Sequence, residues 1–200
     1  VLICDGANKP YFFRMEGTGA LTTRTFFANE VTVSGSVSPR FGTIHDGHFV
    51  VDGGSSNPNT IFYSSFNDPD NFTGSGAGSI VLEDKVVGLA SFRSDLIIFC
   101  TNSIFKLLNI NDAASIVVDP VTKNVGCMDA HSIQEIAGDL LFLSPDGLRT
   151  VAGTVRIGDV ELGTVSRPIQ PTIKSIAANI DNLDITSAVL RSKSQYRLFY

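Results

Sequence analysis

One local pattern recurs four times along the sequence, and this recurrence limits the fold more than any other feature. Each copy is a short run rich in Val, Ile, Leu and Phe that ends at an Asp or Asn turn. The copies are residues 1–6, 49–53, 96–102 and 140–147. Their turn residues at 5, 52, 102 and 146 are 47, 50 and 44 positions apart. Short apolar runs bounded by turn residues are typical of β-strands.

A tight polar turn and a preceding strand lie upstream of the later copies. These turns are residues 44–47, 92–95, 136–139 and 190–194, and residues 195–200 begin a fifth copy. Asp-Gly and Gly-Asp pairs favour hairpins because Gly, and less readily Asp or Asn, tolerates the positive φ that such turns require. Each period is therefore predicted to hold at least three antiparallel strands.

A period of about 40 to 50 residues with three or four strands is typical of a β-propeller blade. The sequence therefore predicts an all-β fold, a β-propeller segment of roughly four antiparallel blades that form an incomplete ring. We expect blade hairpins near residues 1–17, 41–66, 85–109 and 131–153, with a further one starting at 185. Residues 1–200 are expected to be a single propeller domain segment cut from a longer protein, because the sequence begins with Val1 and ends within an apolar run.

Helical spacing of apolar residues occurs in one place. Ile169, Ile173, Ile176 and Ile180 follow one another at steps of four, three and four, behind Pro168. Proline suits the first turn of a helix, so one short helix is predicted near residues 168–180.

Four polar stretches are long enough to be blade connections. They are residues 53–58, 67–79, 109–124 and 153–182. Long loops in compact domains commonly bind something or carry an inserted element. We therefore expect these stretches to join the blades and to form the contact surface.

Composition excludes several classes of function. The net charge of −5, from 15 basic and 20 acidic side chains without a basic run, argues against a surface that binds nucleic acid by neutralising phosphates. The sequence contains no apolar stretch of the roughly 20 residues that a transmembrane helix needs, so no membrane partner is expected. Three widely spaced cysteines, Cys4, Cys100 and Cys127, indicate neither a disulfide framework nor a zinc site.

Two clusters contain side chains of the types that bind metal ions, and both are interpreted as turns. His45, Asp46 and His48 offer imidazole and carboxylate groups, but His45 and Asp46 lie in a predicted hairpin turn, where such residues bond to the backbone, and no further ligand completes a site. Residues 67–71 offer oxygens suited to calcium, but they lack the EF-hand spacing and are typical of hydrogen-bonded Asx turns. No metal and no cofactor is predicted.

No catalytic arrangement is predicted either. Cys100 or Cys127 could pair with His131, yet Cys100 lies in the most apolar run, where a thiol is inert. The Gly-rich residues 74–78 lack the ending of a phosphate-binding loop, and residues 71–73 form a glycosylation sequon that matters only in a secreted eukaryotic protein. Residues 144–147 resemble the Asp-box of sialidases, but the sequence has no Trp, and a hairpin turn explains them.

Three strings follow one another in an order that resembles the nozzle proteins of short-tailed bacteriophages, also known as tail tubular B or packaged-DNA stabilisation proteins. The strings are residues 62–72, which include an Asp-Pro turn; residues 86–107; and residues 133–149, which include the Ser-Pro-Asp-Gly turn. The resemblance covers residues 41 to 170. Phe stands where that family often has Trp beside the Asp-Pro turn, and its amino-terminal platform is not visible.

The resemblance implies a structural virion protein, not an enzyme, in the phage tail. Expected partners are copies of the chain in a ring, other tail proteins on the adaptor or portal side, and fibres or a needle. DNA would pass through the conduit without tight binding. The alternative is a cellular β-propeller that binds or hydrolyses carbohydrate, although four Tyr and no Trp leave few platforms for stacking sugars. A scaffold in some other assembly is a third possibility.

Overall fold

The computed structural model describes residues 1–16, 25–33, 35, 37–152 and 165–200. Strands make up 46% of the described residues and helical segments 13%, and the strands form several antiparallel sheets. The all-β prediction is therefore confirmed at the level of fold class. The radial arrangement of a propeller remains a prediction.

The strands follow one another along the chain and pair with their sequence neighbours. The first sheet contains β1 (Leu2–Ile3), β2 (Tyr11–Glu16) and β3 (Thr25–Glu30). The second contains β4 (Gly42–His45), β5 (His48–Gly53), β6 (Asn57–Tyr63) and β7 (Gly78–Val81). The third contains β8 (Val86–Phe92), β9 (Asp95–Cys100), β10 (Ile104–Leu108) and β11 (Val117–Thr122). The fourth contains β12 (Gln134–Ile136), β13 (Asp139–Ser144) and β14 (Gly147–Thr150), and the last contains β15 (Thr186–Leu190) and β16 (Gln195–Phe199).

The chain divides into two compact units. The first comprises Val1–Lys85 together with Asn109–Ile116, and the second comprises Val86–Leu108 together with Val117–Tyr200. The first two sheets lie in the first unit and the other three lie in the second.

Two-residue turns join the strands at three of the predicted sites. His45 pairs with His48, Phe92 with Asp95, and Ile136 with Asp139. Positive φ angles occur in all three turns, at Asp46 and Gly47, at Arg93, and at Ala137 and Gly138. These angles match the right-handed twist of the flanking strands, which explains the tight register. The predicted turn at 190–194 contains the 3₁₀ turn Arg191–Lys193 and a left-handed Ser194.

The prediction about the polar stretches was wrong in its placement. Residues 53–58, 67–79 and 109–124 connect strands within one sheet, and they contain the start of β6, the start of β7 and all of β11. The connections between the second and third sheets and between the third and fourth are instead residues 82–85 and 123–133. The stretches 67–79 and 109–124 look like loops in the sequence because β7 and β11 are edge strands. Their side chains are partly exposed and include polar residues, as those of loops do. Of the stretch 153–182, residues 153–164 lie outside the described residues.

The predicted helix is confirmed as α1 (Gln170–Ala178). Ile173 and Ile176 face the core, whereas Ile169 and Ile180 lie in the flanking 3₁₀ turns Arg167–Ile169 and Ile180–Asn182. The helix ends at Asn179, whose side-chain amide donates to the Ser175 carbonyl 2.8 Å away. In the described ranges, neither α1 nor any 3₁₀ turn has the length and hydropathy of a transmembrane span.

Within each unit, sheets pack face to face. In the first unit the Phe12 ring of β2 meets the Phe49 ring of β5 edge-on, with centroids 5.5 Å apart. In the second unit the ring centroids of Phe99 in β9 and Phe142 in β13 lie 5.2 Å apart. The alternate residues of β13 point the other way and pack against α1 and β16. The central strands are therefore buried on both faces, which explains their continuous apolar runs.

Candidate functional site

The two histidines of the metal-like cluster are buried side chains of the second sheet, where they pair across β4 and β5. Both rings are buried, and the His48 ring lies 5.8 Å from the Tyr63 ring. His48 Nδ1 lies 2.6 Å from the Ser64 carbonyl oxygen, and its Nε2 lies 3.0 Å from Asn111 Oδ1. His45 Nε2 is 4.0 Å from Asp46 Oδ2. Both nitrogens of His48 thus have polar partners, of which Asn111 lies in the 109–116 loop, and no ligand set of three side chains forms among the described residues.

The possible calcium loop is an Asx turn, as interpreted from the sequence. Asn71 Oδ1 accepts hydrogen bonds from the amides of Thr73 and Gly74, and its Nδ2 donates to Asp68 Oδ2 at 3.0 Å. These oxygens therefore organise the loop backbone. The Gly-rich residues 74–78 lead into strand β7, so no helix N-terminus follows them to receive a phosphate.

The Cys127 thiol and the His131 ring make their polar contacts with other groups and not with each other. Cys100 and Cys127 are buried, and the Cys127 thiol donates to the Asp129 carbonyl at 3.3 Å. Burial raises the pKa of Cys127 to about 12, which keeps the thiol protonated and unreactive. The His131 ring is 74% exposed, with Nδ1 3.4 Å from Asp129 Oδ1.

The recurring turn carboxylates share a structural role. Asp5 Oδ1 accepts from the amides of Ala7 and Asn8 at 2.9 and 2.8 Å. Asp52, which is fully buried, accepts from the amides of Arg40, Phe41 and Gly54 and from Arg40 Nε. Asp5 thus satisfies backbone donors within its own turn, whereas Asp52 joins the turn amide of Gly54 to the backbone of Arg40 and Phe41 just before β4.

The turn at Ser144–Gly147 carries the most elaborate polar network. Arg149, only 1% exposed, donates through Nε and Nη2 to the two carboxylate oxygens of Asp146. Ser144 Oγ also donates to Asp146, at 2.5 Å. Burial opposes ionisation of Asp146, but the bonds from Arg149 and Ser144 outweigh it and hold its pKa below the ordinary value. The Asp-box-like residues therefore anchor a buried cation.

Helix α1 is tied to the same turn. The Gln170 side-chain amide donates to the Asp146 carbonyl, and its Oε1 accepts from Ser166 Oγ at 3.1 Å. Ser166 Oγ in turn accepts from the Leu148 amide at 3.0 Å. The start of the helix is thus fixed to the β13–β14 hairpin by side chains.

Sequence reasoning missed most partners in these networks. The spacing Asp146-x-x-Arg149 was a usable signal, since three residues across a hairpin turn allow a bidentate pair. Arg40 with Asp52, and Gln170 with Asp146, are 12 and 24 residues apart, and no local pattern predicts such pairings.

A groove of about 280 Å³ lies in the second unit among the described residues. Phe92, Ile97 and Val151 supply apolar surface, and Arg93 and Lys106 supply charge. Lys106 Nζ lies 3.5 Å from Asp119 Oδ2, and Arg93 Nη2 donates to the Gly138 carbonyl at 2.9 Å. Both cations are therefore already engaged by the protein.

The most unusual surface is one face of the first sheet. Val1, Ile3, Tyr11, Phe13 and Met15 lie on this face, which we call the amino-terminal face. Ile3 is 51% exposed and Met15 52%, while Phe12 on the opposite side is buried in the core.

Comparisons with known proteins leave the geometry as the main guide. No family model matches the sequence, and no curated protein matches it either. Most of the chemistry-bearing side chains considered above are engaged in turns and loops within the described residues.

Proposed function

We propose that this chain is a β-propeller segment of a structural protein in a bacteriophage tail, where it forms part of the nozzle or hub. The observation that carries the proposal is the pair of consecutive four-stranded sheets, β4 to β7 and β8 to β11, each in simple up-and-down order. Four strands connected in this order make a propeller blade. The three-stranded first and fourth sheets and the two-stranded last sheet are shorter versions of the same module.

The packing of the sheets supports this arrangement. Blades of a propeller stack face to face, so each inner strand is covered on both sides. Strand β13 has this environment, with Phe142 packed toward β9 and Leu143 packed toward α1. The resemblance of residues 41 to 170 to phage nozzle proteins supports the assignment to a tail.

A structural role also agrees with the chemistry. A conduit for DNA must release phosphates readily, because each neutralising Lys or Arg strengthens binding in a salt-dependent way. The net charge of −5 favours weak contact with DNA. We propose that the partners are copies of the chain in a ring, tail proteins on the adaptor or portal side, and fibres or a needle, all within the virion.

Two measurements test this function. Antibodies raised against the chain should label one end of the tail on phage particles that carry its gene, as seen by immunogold electron microscopy. Cryo-electron microscopy of the intact gene product should resolve the sheets radially around an axis. Absence of the chain from virions would overturn the tail assignment, and two sheets stacked flat without an axis would overturn the propeller.

A glycan array separates the proposed role from the carbohydrate alternative. The tail role predicts no glycan-specific binding by the isolated chain. Saturable binding to one sugar class, or glycosidase activity, would instead favour the cellular propeller.

A further inference from the structure

The sequence contains the dipeptide Asp-Gly four times, at residues 5–6, 46–47, 52–53 and 146–147. This dipeptide rearranges spontaneously more readily than others, because glycine has no side chain to hinder its amide nitrogen when that nitrogen attacks the preceding carboxyl group. The carboxyl group must be free to turn toward the backbone, and the glycine amide must be free of strong hydrogen bonds. The four dipeptides are identical, so the fold decides which of them reacts.

At three of the four sites, hydrogen bonds hold the carboxylate. Asp5 accepts from backbone amides of its own turn, Asp52 accepts from Arg40, and Asp146 accepts from Arg149. Each carboxylate must break these bonds before it can meet the next amide nitrogen, and hydrogen bonds to a charged group are costly to break. These three side chains are therefore protected from rearrangement.

The glycine amide is also held at the same three sites. The Gly6 amide donates to the Pro39 carbonyl at 2.8 Å. Gly53 and Gly147 are strand residues of β5 and β14. Attack by any of these nitrogens would distort a turn contact or a strand, which adds to the barrier.

Asp46 and Gly47 meet both requirements. They form the two-residue turn between β4 and β5, with φ angles of 45° and 80°. The Asp46 side chain is 55% exposed, and its Oδ2 lies 4.0 Å from His45 Nε2, beyond hydrogen-bond distance. Within the part of the chain that the structure describes, neither the Asp46 carboxylate nor the Gly47 amide has a hydrogen-bond partner. Both reacting groups are therefore free in the folded chain.

We propose that Asp46 is a site of spontaneous isomerisation to isoaspartate, and that it reacts before the other three Asp-Gly sites in the folded chain. The Gly47 nitrogen attacks Cγ of the protonated Asp46 side chain, a C–N bond forms, and the C–O bond to the hydroxyl group breaks. The amide proton and this hydroxyl group leave as water, and the product is a five-membered succinimide. This inference does not depend on the proposed function.

A second water molecule then opens the succinimide. Addition at Cγ restores Asp46, whereas addition at the backbone carbonyl carbon leaves the chain running through Cβ and Cγ, which is isoaspartate. One water is released and one is consumed, so the rearrangement needs no oxidant, reductant or other reactant.

The product would disturb the contact between this turn and residues 64–77, which join β6 to β7. The Gly47 carbonyl accepts from the Asn67 amide at 2.8 Å, and a Cβ added to Gly47 would lie 2.7 Å from Phe66 Cε2. The turn therefore has little room on this side, and isoaspartate lengthens its backbone by one carbon. We expect the aged chain to unfold at a lower urea concentration than the fresh chain.

Incubation of the purified chain at neutral pH, below its unfolding transition, tests the site. We expect isoaspartate to form at Asp46 about tenfold faster or more than at Asp5, Asp52 or Asp146, because each of those must first break hydrogen bonds to its carboxylate. In guanidinium chloride the fold is lost, and the four sites should react at similar rates. Electron-transfer fragmentation assigns the site within the tryptic peptide 41–85, which contains both Asp46 and Asp52.

Asp5 is the matched internal control, because it is exposed like Asp46 but its carboxylate is held. The hydrogen bond from the Asn8 side chain holds the pKa of Asp5 below its ordinary value, which lowers the fraction of the protonated acid that reacts.

Two variants change the chemistry at residue 46 and keep the turn exposed. Asp46→Glu should abolish the isomer there, since the corresponding six-membered ring closes far more slowly. Asp46→Asn should rearrange faster through the same succinimide, with ammonia as the leaving group, and circular dichroism checks that both variants are folded. Isoaspartate that forms first at residue 5, 52 or 146, or a folded chain in which residue 46 stays unchanged while the denatured chain rearranges, would overturn the proposal.

Discussion

The ion pair between Asp146 and the buried Arg149 is expected to contribute strongly to the free energy of unfolding. Removing one partner of a buried ion pair costs about 3 to 5 kcal/mol because the other charge is left uncompensated. Asp146 is 33% exposed, so water offsets part of this loss, and we expect Asp146→Ala to lower the free energy of unfolding by about 2 to 3 kcal/mol. Urea denaturation measures the change.

Asp5→Ala is the matched control, since Asp5 occupies the equivalent turn at the exposed surface. Its hydrogen bonds to Ala7 and Asn8 lie in solvent, so the change in unfolding free energy should be much smaller. Equal effects of the two variants would show that the buried guanidinium does not depend on Asp146.

The buried thiol and phenol predict a limit to stability at alkaline pH. Burial raises the pKa of Cys127 from 9.0 to about 12 and that of Tyr196 from 10.0 to about 12. The unfolded chain therefore loses these protons first, and stability that is complete below pH 9 is lost as the pH rises toward 12. Each group contributes a slope of about 1.4 kcal/mol per pH unit between its two pKa values. Cys127→Ala should make the decline between pH 9 and 10 shallower in urea titrations, and an unchanged slope would contradict the assignment.

Among the elements, the β12–β13 hairpin has a turn that its sequence does not optimise. Ala137 adopts a φ of 51° and Gly138 a φ of 77°, the combination in which Asn-Gly is favoured. We expect Ala137→Asn to raise the free energy of unfolding by about 0.5 to 1 kcal/mol, because Asn tolerates the left-handed region better than Ala. Thermal and urea denaturation measure the gain.

Gly138→Ala tests the same turn in the opposite direction. A Cβ at Gly138 would meet no atom within 4 Å, so any loss of stability must come from the φ angle alone. We expect this variant to be destabilised. Stability unchanged in both variants would show that the turn relaxes without cost.

Element by element, the sequence predicted the inner strands better than the edges. The runs that became β5, β9 and β13 are apolar on both faces, and only buried strands need such composition. Strand β11 contains Asp119 and Pro120, and its sequence predicts a loop, because an edge strand can expose polar groups and proline. The turn carboxylates were predicted in position, but their partners Arg40 and Gln170 depend on tertiary contacts that no local pattern contains.

At the scale of the whole molecule, polar and apolar side chains have different structural roles. Asp5 and Asp146 hold their own turns, Asp52 joins its turn to the backbone just before β4, and the apolar strand faces make the contacts between sheets.

The net charge makes a prediction for the whole chain in contact with DNA. With 15 basic against 20 acidic side chains, the sequence has a net negative charge and no run of the basic residues that release counterions from phosphates. We expect the dissociation constant for duplex DNA at physiological salt to be weaker than about 10⁻⁴ M, above the usual non-specific range of about 10⁻⁶ to 10⁻⁴ M. Fluorescence anisotropy with a labelled duplex measures it, and the same chain carrying a hexalysine tag is the positive control, with binding that weakens steeply as salt is added. Micromolar binding by the untagged chain with a steep salt dependence would reveal a phosphate-binding surface, and a conduit that lets DNA pass freely could not have one.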